Sequence, residues 1–254
     1  MAWRVSMRAG AAALGVAASL ILLASCSRER VIYVENDARV EMSSAQGLQR
    51  LVPSNPMLAS APGMSVPADP YAPMSAEDED CRRALRKLDV AFRDLAPIDE
   101  GGACRVDSPV LVSAIGSVEM KPAATLSCAM ALTFARWTKK ELVPSARLRY
   151  LSGVKTIHQA SSYSCRTIRG TGKASEHARG NALDVARIEL NNGKDIDVKK
   201  PGWFAFRQRG LLNNVRADAC EYFSTVLGPG YNYDHRDHFH FDIAERRGGR
   251  RACH

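Results

Sequence analysis

The sequence predicts an α+β fold, in which an antiparallel β-sheet is flanked by helices and stapled by disulfide bonds. Helical patterns come first, and mostly strand-like segments follow with turn-sized gaps between them, which is typical of this class. Six of the seven cysteines lie after residue 77, an even number that indicates a disulfide framework. With 46% hydrophobic and 24% charged residues, the composition excludes wholesale disorder.

Residues 1–25 are predicted to be a lipoprotein signal peptide. Arg4 and Arg8 precede an apolar run of about sixteen residues, shorter than the roughly 20 residues of a membrane-spanning helix. The run ends in Leu-Ala-Ser-Cys, which resembles the bacterial lipobox, so Cys26 is the predicted lipidation site. A plain signal peptide or an uncleaved anchor is the alternative. Ser27, rather than aspartate, follows Cys26, which favours a periplasmic lipoprotein anchored to the outer membrane of the cell envelope.

Residues 26–76 are predicted to be a disordered tether rich in proline, serine and alanine. They show no sustained hydrophobic period and carry six prolines between positions 53 and 73. Such a segment buries too little apolar surface to offset its ordering entropy. Residues 77–254 are then the folded domain, and they hold the excess of positive charge in a chain whose net charge is +8.

Three helices are predicted around this domain. Ser75 has capping-box spacing for the first helix, Pro122 suits the first turn of the second, and Gly228 follows the third as a stop signal. The predicted helices run from Ser75 to Leu95, from Pro122 to just before Pro144, and from Asn213 to Leu227. The predicted strands are Val110–Val112, Val154–Arg166, Ala182–Leu190 and His238–Ile243.

Pairing of neighbouring cysteines is the predicted disulfide pattern, although six cysteines allow 15 pairings and spacing alone leaves the others open. None of them forms a C-x-x-C motif, which disfavours a cysteine zinc site and thioredoxin-like chemistry. The predicted pairs are Cys81–Cys104, Cys128–Cys165 and Cys220–Cys253.

Three of the six histidines crowd into residues 234–242. A strand places His238, His240 and Asp242 on one face, about 7 Å apart in succession, and the intervening phenylalanines on the other. His177 and Asp184 are seven positions apart, and a helix would separate them by about 10 Å. A turn at Gly180 that leads into a strand could bring them together. Two imidazoles, one carboxylate and a position for water are the composition of a catalytic zinc site.

Ser175, His177, Gly180, Ala182 and Asp184 match an S-x-H-x-x-G-x-A-x-D pattern. The pattern resembles that of the D-alanyl-D-alanine carboxypeptidases and dipeptidases and of the penicillin-insensitive murein endopeptidases, and the H-x-H element at 238–240 is similar to theirs. These motifs, together with the segments 162–166, 227–229 and 237–242, resemble the bacterial extensin-like C-terminal domain family over residues 79–254.

The resemblance implies that His177, Asp184 and His240 are the zinc ligands. His238 would be the general base or would stabilise the tetrahedral intermediate, and Arg166 would bind the carbonyl or carboxylate of the substrate. Some relatives use a glutamate as base at a position that holds Asp237 here.

Further polar residues occur in and around these motifs. Asp237 is shorter than glutamate and would face away on a regular strand, so we place His238 ahead of it. Ser175 either contacts the substrate or caps the turn before His177, and Asp242 is a candidate partner that fixes a histidine tautomer. His158 and His235 are expected to be structural or surface residues.

The implied function is that of a zinc-dependent peptidase that hydrolyses peptide stems or cross-links of peptidoglycan, in a monomeric domain. Positive charge suits a substrate rich in carboxylates. The alternative is a non-catalytic peptidoglycan-binding or envelope-organising lipoprotein that keeps the metal or ligand pocket. A metal-dependent phosphodiesterase is a third possibility, but secretion and disulfides disfavour a nucleic-acid partner.

Overall fold

The structure, a computed structural model, describes residues 74–254. The predicted signal peptide, Cys26 and nearly all of the predicted tether therefore lie outside the described residues. Within residues 74–254, no helix combines the length and apolar character needed to cross a membrane.

Four α-helices and eleven β-strands make up residues 74–254. The helices are α1 (Ala76–Lys87), α2 (Cys128–Trp137), α3 (Val143–Tyr150) and α4 (Phe206–Ala219). The strands are β1 (Val90–Asp94), β2 (Ile98–Asp99), β3 (Arg105–Val106), β4 (Pro109–Ile115), β5 (Val118–Ser127), β6 (Val154–Ser161), β7 (Ala182–Leu190), β8 (Asp195–Asp197), β9 (Thr225–Leu227), β10 (Phe239–Asp242) and β11 (Ala252–Cys253). A π-helical turn spans Thr138–Leu142, and 3₁₀ turns span Glu176–Arg179 and Arg247–Gly249.

Nine of these strands form one sheet, in the order β1-β4-β5-β6-β7-β10-β9-β11, with β8 paired to β7. The pairs β5–β6 and β9–β11 are parallel, and the other pairs are antiparallel. The strands β2 and β3 form a separate two-stranded ribbon. The α+β class is thus confirmed, with a mixed sheet rather than a purely antiparallel one.

The hydrophobic core lies between one face of the central strands and the helices. The ring of Phe241 on β10 packs 4.9 Å from those of Trp137 and Phe223 and 6.3 Å from that of Phe134. The indole Nε1 of Trp137 donates a hydrogen bond to the carbonyl oxygen of Val215 in α4, at 3.1 Å. Because this face of β10 is fixed in the core, its alternate side chains must lie on the opposite face of the sheet.

Two predicted helices begin or end elsewhere because sheet pairing overrides the local pattern. The first ends at Lys87, and the apolar residues up to Phe92 continue into β1, which pairs with β4. The second begins at Cys128, and Pro122 lies in β5. The pairing of β5 with β4 is interrupted around Pro122. Proline has no backbone N–H, and at this position none is needed for a hydrogen bond to β4.

The third predicted helix also has different bounds. The helix α4 starts earlier than predicted, at Phe206, and ends at Ala219. The last residues of the predicted helix, Thr225–Leu227, are instead the strand β9, which lies between β10 and β11. Val215 and Ala219 in the helix and Val226 in the strand are all buried, so the helical spacing of these apolar residues did not distinguish the two conformations.

Two of the three predicted disulfide pairs are wrong. Cys81 of α1 pairs with Cys128 at the start of α2, because these two helices pack together. Cys104 pairs with Cys165, because the β2–β3 ribbon lies against the segment after β6, where Tyr163 donates to Glu100 at 2.9 Å. The third pair, Cys220–Cys253, is as predicted.

Candidate metal centre

The strands β7 and β10 place Asp184 and His240 side by side. The two residues are directly paired in the antiparallel register. Phe239 and Phe241, which flank His240, are buried in the core. His240 and Asp242 consequently project from the opposite face of the sheet, as the alternation of the sequence predicts.

A short turn brings His177 to the same place. The 3₁₀ turn Glu176–Arg179 is capped by Ser175, whose hydroxyl accepts a hydrogen bond from the backbone N–H of His177 at 3.4 Å. Gly180 ends the turn in the left-handed conformation, with φ of 65°, and the chain enters β7 at Ala182. The turn at Gly180 that the sequence predicts is therefore present, and it places His177 over the first residues of the strand.

Replacing Gly180 with alanine is expected to destabilise the domain by about 3 kcal/mol. A Cβ atom there would lie 2.8 Å from the backbone nitrogen of Ser127, and φ is positive. Gly193 is a matched control, because its φ is also positive, at 77°, but nothing lies within 4 Å of an added Cβ atom. We expect Gly193→Ala to cost only about 1 kcal/mol. Denaturant unfolding measures both variants, and equal losses would exclude the close contact as the cause.

The ligand atoms of His177, Asp184 and His240 lie within 4.8 Å of one another. Nε2 of His177 is 3.3 Å from Oδ2 of Asp184 and 3.3 Å from Nδ1 of His240. Nδ1 of His240 is 2.9 Å from Oδ1 of Asp184. His177 and Asp184 are buried, and His240 is partly buried. The three predicted zinc ligands thus converge on one point.

Each imidazole also has a partner on the nitrogen that faces away from this point. Nδ1 of His177 donates to the backbone carbonyl oxygen of Ser162 at 2.6 Å. Nε2 of His240 donates to Oδ2 of Asp242 at 3.1 Å. When the imidazoles are neutral, these bonds favour the tautomers that leave the converging nitrogens free of protons, which is the arrangement that metal-binding histidines use. The donor set therefore fits a zinc ion.

Replacing Asp242 with asparagine is expected to weaken zinc binding 10- to 100-fold, because Asp242 orients His240 and raises its basicity. Asp234→Asn is the matched control, since Asp234 is paired with Arg169 on the surface. Competition with a fluorescent zinc chelator measures both affinities. An Asp242→Asn protein that binds zinc as tightly as the control would show that Asp242 does not support the site.

The charges of the cluster are coupled. Burial alone would raise the pKa of Asp184, but hydrogen bonds with His177 and His240 hold that pKa far below its ordinary value. Burial also opposes charge on His240, yet hydrogen bonds to Asp184 and Asp242 raise the pKa of His240 to about 9. At neutral pH His240 therefore carries a proton that a bound cation must displace.

Zinc affinity is accordingly expected to rise with pH. Because the displaced proton leaves a group whose pKa is about 9, the apparent affinity should increase about tenfold per pH unit between pH 6 and 8. Binding at pH 7 should release about one proton per zinc ion from His240, in addition to the proton that a zinc-bound water loses near this pH. Calorimetry in buffers of different protonation enthalpy counts this proton, and an affinity that stays constant over the range would contradict the assignment.

His238 lies at the edge of the cluster, with one nitrogen directed towards it. Its Nε2 is 3.9 Å from Oδ1 of Asp184, and its Nδ1 is 3.1 Å from Oδ1 of Asp237. Asp237 is largely exposed and lies behind His238 rather than at the cluster. The pair has the arrangement of an imidazole whose orientation is fixed by a carboxylate.

Arg166 is half-exposed beside Asp184, whereas Ser175 is buried next to His177. The guanidinium Nη2 of Arg166 is 3.4 Å from Oδ2 of Asp184, and its half-exposed side chain lies between the buried Asp184 and the solvent. The hydroxyl of Ser175 is buried and caps the turn that presents His177. Of the two roles considered for Ser175, this arrangement favours the cap, and its contact with a substrate stays a prediction.

His235 belongs to the surroundings of the cluster, which the sequence did not indicate. Its ring lies 5.3 Å from that of His238 and 5.8 Å from that of His240. Nδ1 of His235 bonds to the side-chain oxygen of Asn232 at 2.6 Å. Burial and the neighbouring His240 and His238 lower the pKa of His235 to about 4, so it is neutral at pH 7. The loop between β9 and β10 has no periodic pattern that could have predicted this fold-back.

Comparison with known proteins identifies one family. No curated protein and no solved structure gives a significant match to the chain. The family model described as extensin-like protein C-terminus matches residues 79–254, which include both cysteines of each disulfide and every residue of the candidate metal centre. The chain therefore belongs to the extensin-like protein C-terminus family.

Proposed function

We propose that this protein is a zinc-dependent peptidase that hydrolyses peptide stems or cross-links of peptidoglycan at the cell envelope. The convergence of His177, Asp184 and His240 within 4.8 Å carries the proposal. Three protein ligands that include no cysteine are typical of catalytic rather than structural zinc sites, which four protein ligands usually close.

The surrounding side chains have the groups that amide hydrolysis needs. A zinc ion bound here would lower the pKa of a water molecule to about 7 and polarise the scissile carbonyl. His238 would accept a proton from the attacking water through Nε2, because Asp237 occupies its Nδ1. Arg166, half-exposed beside Asp184, would bind the oxygen that gains negative charge or the carboxylate of the substrate.

The substrate class rests on the likeness to bacterial wall peptidases and on charge. The S-x-H-x-x-G-x-A-x-D motif from Ser175 to Asp184 and the H-x-H element resemble the D-alanyl-D-alanine carboxypeptidases and murein endopeptidases. The net charge of +8 favours a polymer rich in carboxylates. A lipid on Cys26 would hold the domain in the periplasm, within reach of the wall.

Digestion of purified peptidoglycan tests the proposal. The zinc-loaded protein should release muropeptides shortened at a peptide bond, as mass analysis of the products shows, and removal of zinc with a chelator should stop the release. Stoichiometric zinc without any product would support the non-catalytic wall-binding alternative. Cleavage of plasmid DNA by the same preparation would instead support a phosphodiesterase.

A further inference from the structure

A second surface lies on the loop that leads into α4. It consists of residues 199–209, which are this loop and the first four residues of α4, and we call it the aromatic–basic loop. Trp203, Phe204 and Phe206 are 80%, 83% and 63% exposed. Three large, exposed aromatic side chains within four consecutive residues are unusual for a surface that contacts only water.

A groove of about 620 Å³ is lined by two of these residues, Trp203 and Phe206. Its apolar wall includes Pro201 and Leu212, together with Phe239, whose chain neighbours His238 and His240 belong to the metal centre on the other face of β10. The groove is therefore separate from the metal centre, although the two share a strand.

The charged side chains within the loop are all positive. No aspartate or glutamate occurs between Asp197 and Asp218, whereas five lysines and arginines do. Lys199 pairs with Asp197. The other four are Lys200, Arg207, Arg209 and Arg216. Within residues 74–254, none of them makes an ion pair with a carboxylate.

The loop is held in its exposed position rather than left free. Nη2 of Arg209 donates to the carbonyl oxygens of Gly202 and Trp203, at 2.9 and 3.0 Å. The guanidinium of Arg209 also lies over the ring of Phe206, at 5.7 Å from its centre. These contacts within the loop hold the backbone at Trp203 and the ring of Phe206 in place while both side chains stay exposed to solvent.

We propose that the aromatic–basic loop docks the domain onto a bilayer that contains anionic lipids. Aromatic rings, tryptophan above all, partition into the interface of a membrane, and lysine and arginine are attracted to anionic headgroups. The unpaired cations around an apolar groove match that chemistry. Hydroxyl-rich glycans would call for carboxylate and amide side chains, and the loop has no carboxylate and a single amide, that of Gln208. The proposal is independent of the peptidase function.

The test follows the fluorescence of Trp203 in the full chain. Trp3→Tyr removes a second tryptophan, which precedes the apolar N-terminal run in the sequence, and Trp137 is fully buried. With vesicles of phosphatidylcholine and phosphatidylglycerol, the emission of Trp203 should shift to shorter wavelength and be quenched by doxyl-labelled lipid. Vesicles of phosphatidylcholine alone, or high salt, should reduce both effects.

Matched variants separate docking from attachment through the N-terminus. Lys200→Gln combined with Arg207→Gln should lower the ratio of docked to free loop on the order of 30-fold, at about fivefold for each cation. Leu148→Ala is the control, since Leu148 is also exposed and lies between two arginines, and it should change nothing. Trp203→Phe should abolish the shift, which shows that Trp203 is the reporter.

Three results would overturn the proposal. The first is a chain that sediments with anionic vesicles while Trp203 remains unquenched. The second is quenching that is independent of the anionic lipid. The third is a shift of Trp203 on isolated peptidoglycan but not on vesicles, which would assign the loop to the wall polymer. None of these measurements uses zinc or peptide hydrolysis, so their failure would leave the proposed peptidase function untouched.

Discussion

Replacing His177, Asp184 or His240 with alanine is expected to remove zinc from the protein while leaving the domain folded. A four-ligand zinc site contributes about 10–16 kcal/mol, so one ligand accounts for roughly 3 kcal/mol, or on the order of 100-fold in affinity. The three disulfides and the hydrophobic core use none of these residues. Elemental analysis after gel filtration should find stoichiometric zinc in the parent protein and little in each variant.

His158→Ala is the matched control for these variants. His158 is a partly buried histidine of β6 that contacts Arg187 and Glu189 rather than the cluster. The control should retain zinc. Unchanged zinc content in all three ligand variants would contradict the metal centre. A loss that is accompanied by unfolding, seen in near-ultraviolet circular dichroism, would be examined with Asp184→Asn, which keeps the size of the side chain.

Replacing His238 with alanine is expected to preserve zinc and to lower turnover of peptidoglycan 100- to 10,000-fold, the usual contribution of a positioned general base. His238 is 3.9 Å from Asp184 without belonging to the ligand set. Asp237→Asn should have a smaller effect, because Asp237 acts through the orientation of His238. The rate of product release, measured on zinc-loaded proteins at equal metal content, tests both variants.

The two variants also separate the alternative roles of these residues. An Asp237→Asn protein that loses more activity than His238→Ala would make Asp237 the base. A fully active His238→Ala would move the base to Asp237 or to another group. Asp234→Asn serves as the control, since Asp234 lies in the same loop but pairs with Arg169 away from the cluster.

Part of the candidate site follows from local sequence patterns, whereas the meeting of His240 with Asp184, 56 residues apart, depends on the pairing of β7 with β10 and was implied only by the resemblance to zinc peptidases. Strand alternation places His240 and Asp242 opposite Phe239 and Phe241, and the burial of the two phenylalanines matches it. The turn at Gly180 brings His177 onto β7 within a few residues. The position of His235 beside the cluster was not predicted, because the loop between β9 and β10 has no hydrophobic periodicity from which its path could be inferred.

The parts of the fold that the sequence did not predict depend on long-range packing. The residues around Phe92 form a strand because they pair with β4. Their helical spacing reflects only local preference and contains no information about this pairing. The disulfides Cys81–Cys128 and Cys104–Cys165 join elements separated by 47 and 61 residues. Their pairing depends on which elements pack together, and the spacing of the cysteines along the sequence does not contain that information.

X-ray absorption spectroscopy at the zinc edge of the full chain is the most direct test of the metal centre. The account predicts one zinc ion per chain, with two imidazole nitrogens at about 2.0–2.1 Å, oxygen ligands at about 2.0–2.2 Å and no sulfur. A chain that takes up no zinc, or a spectrum with sulfur at about 2.3 Å, would contradict the convergence of His177, Asp184 and His240 on a single ion.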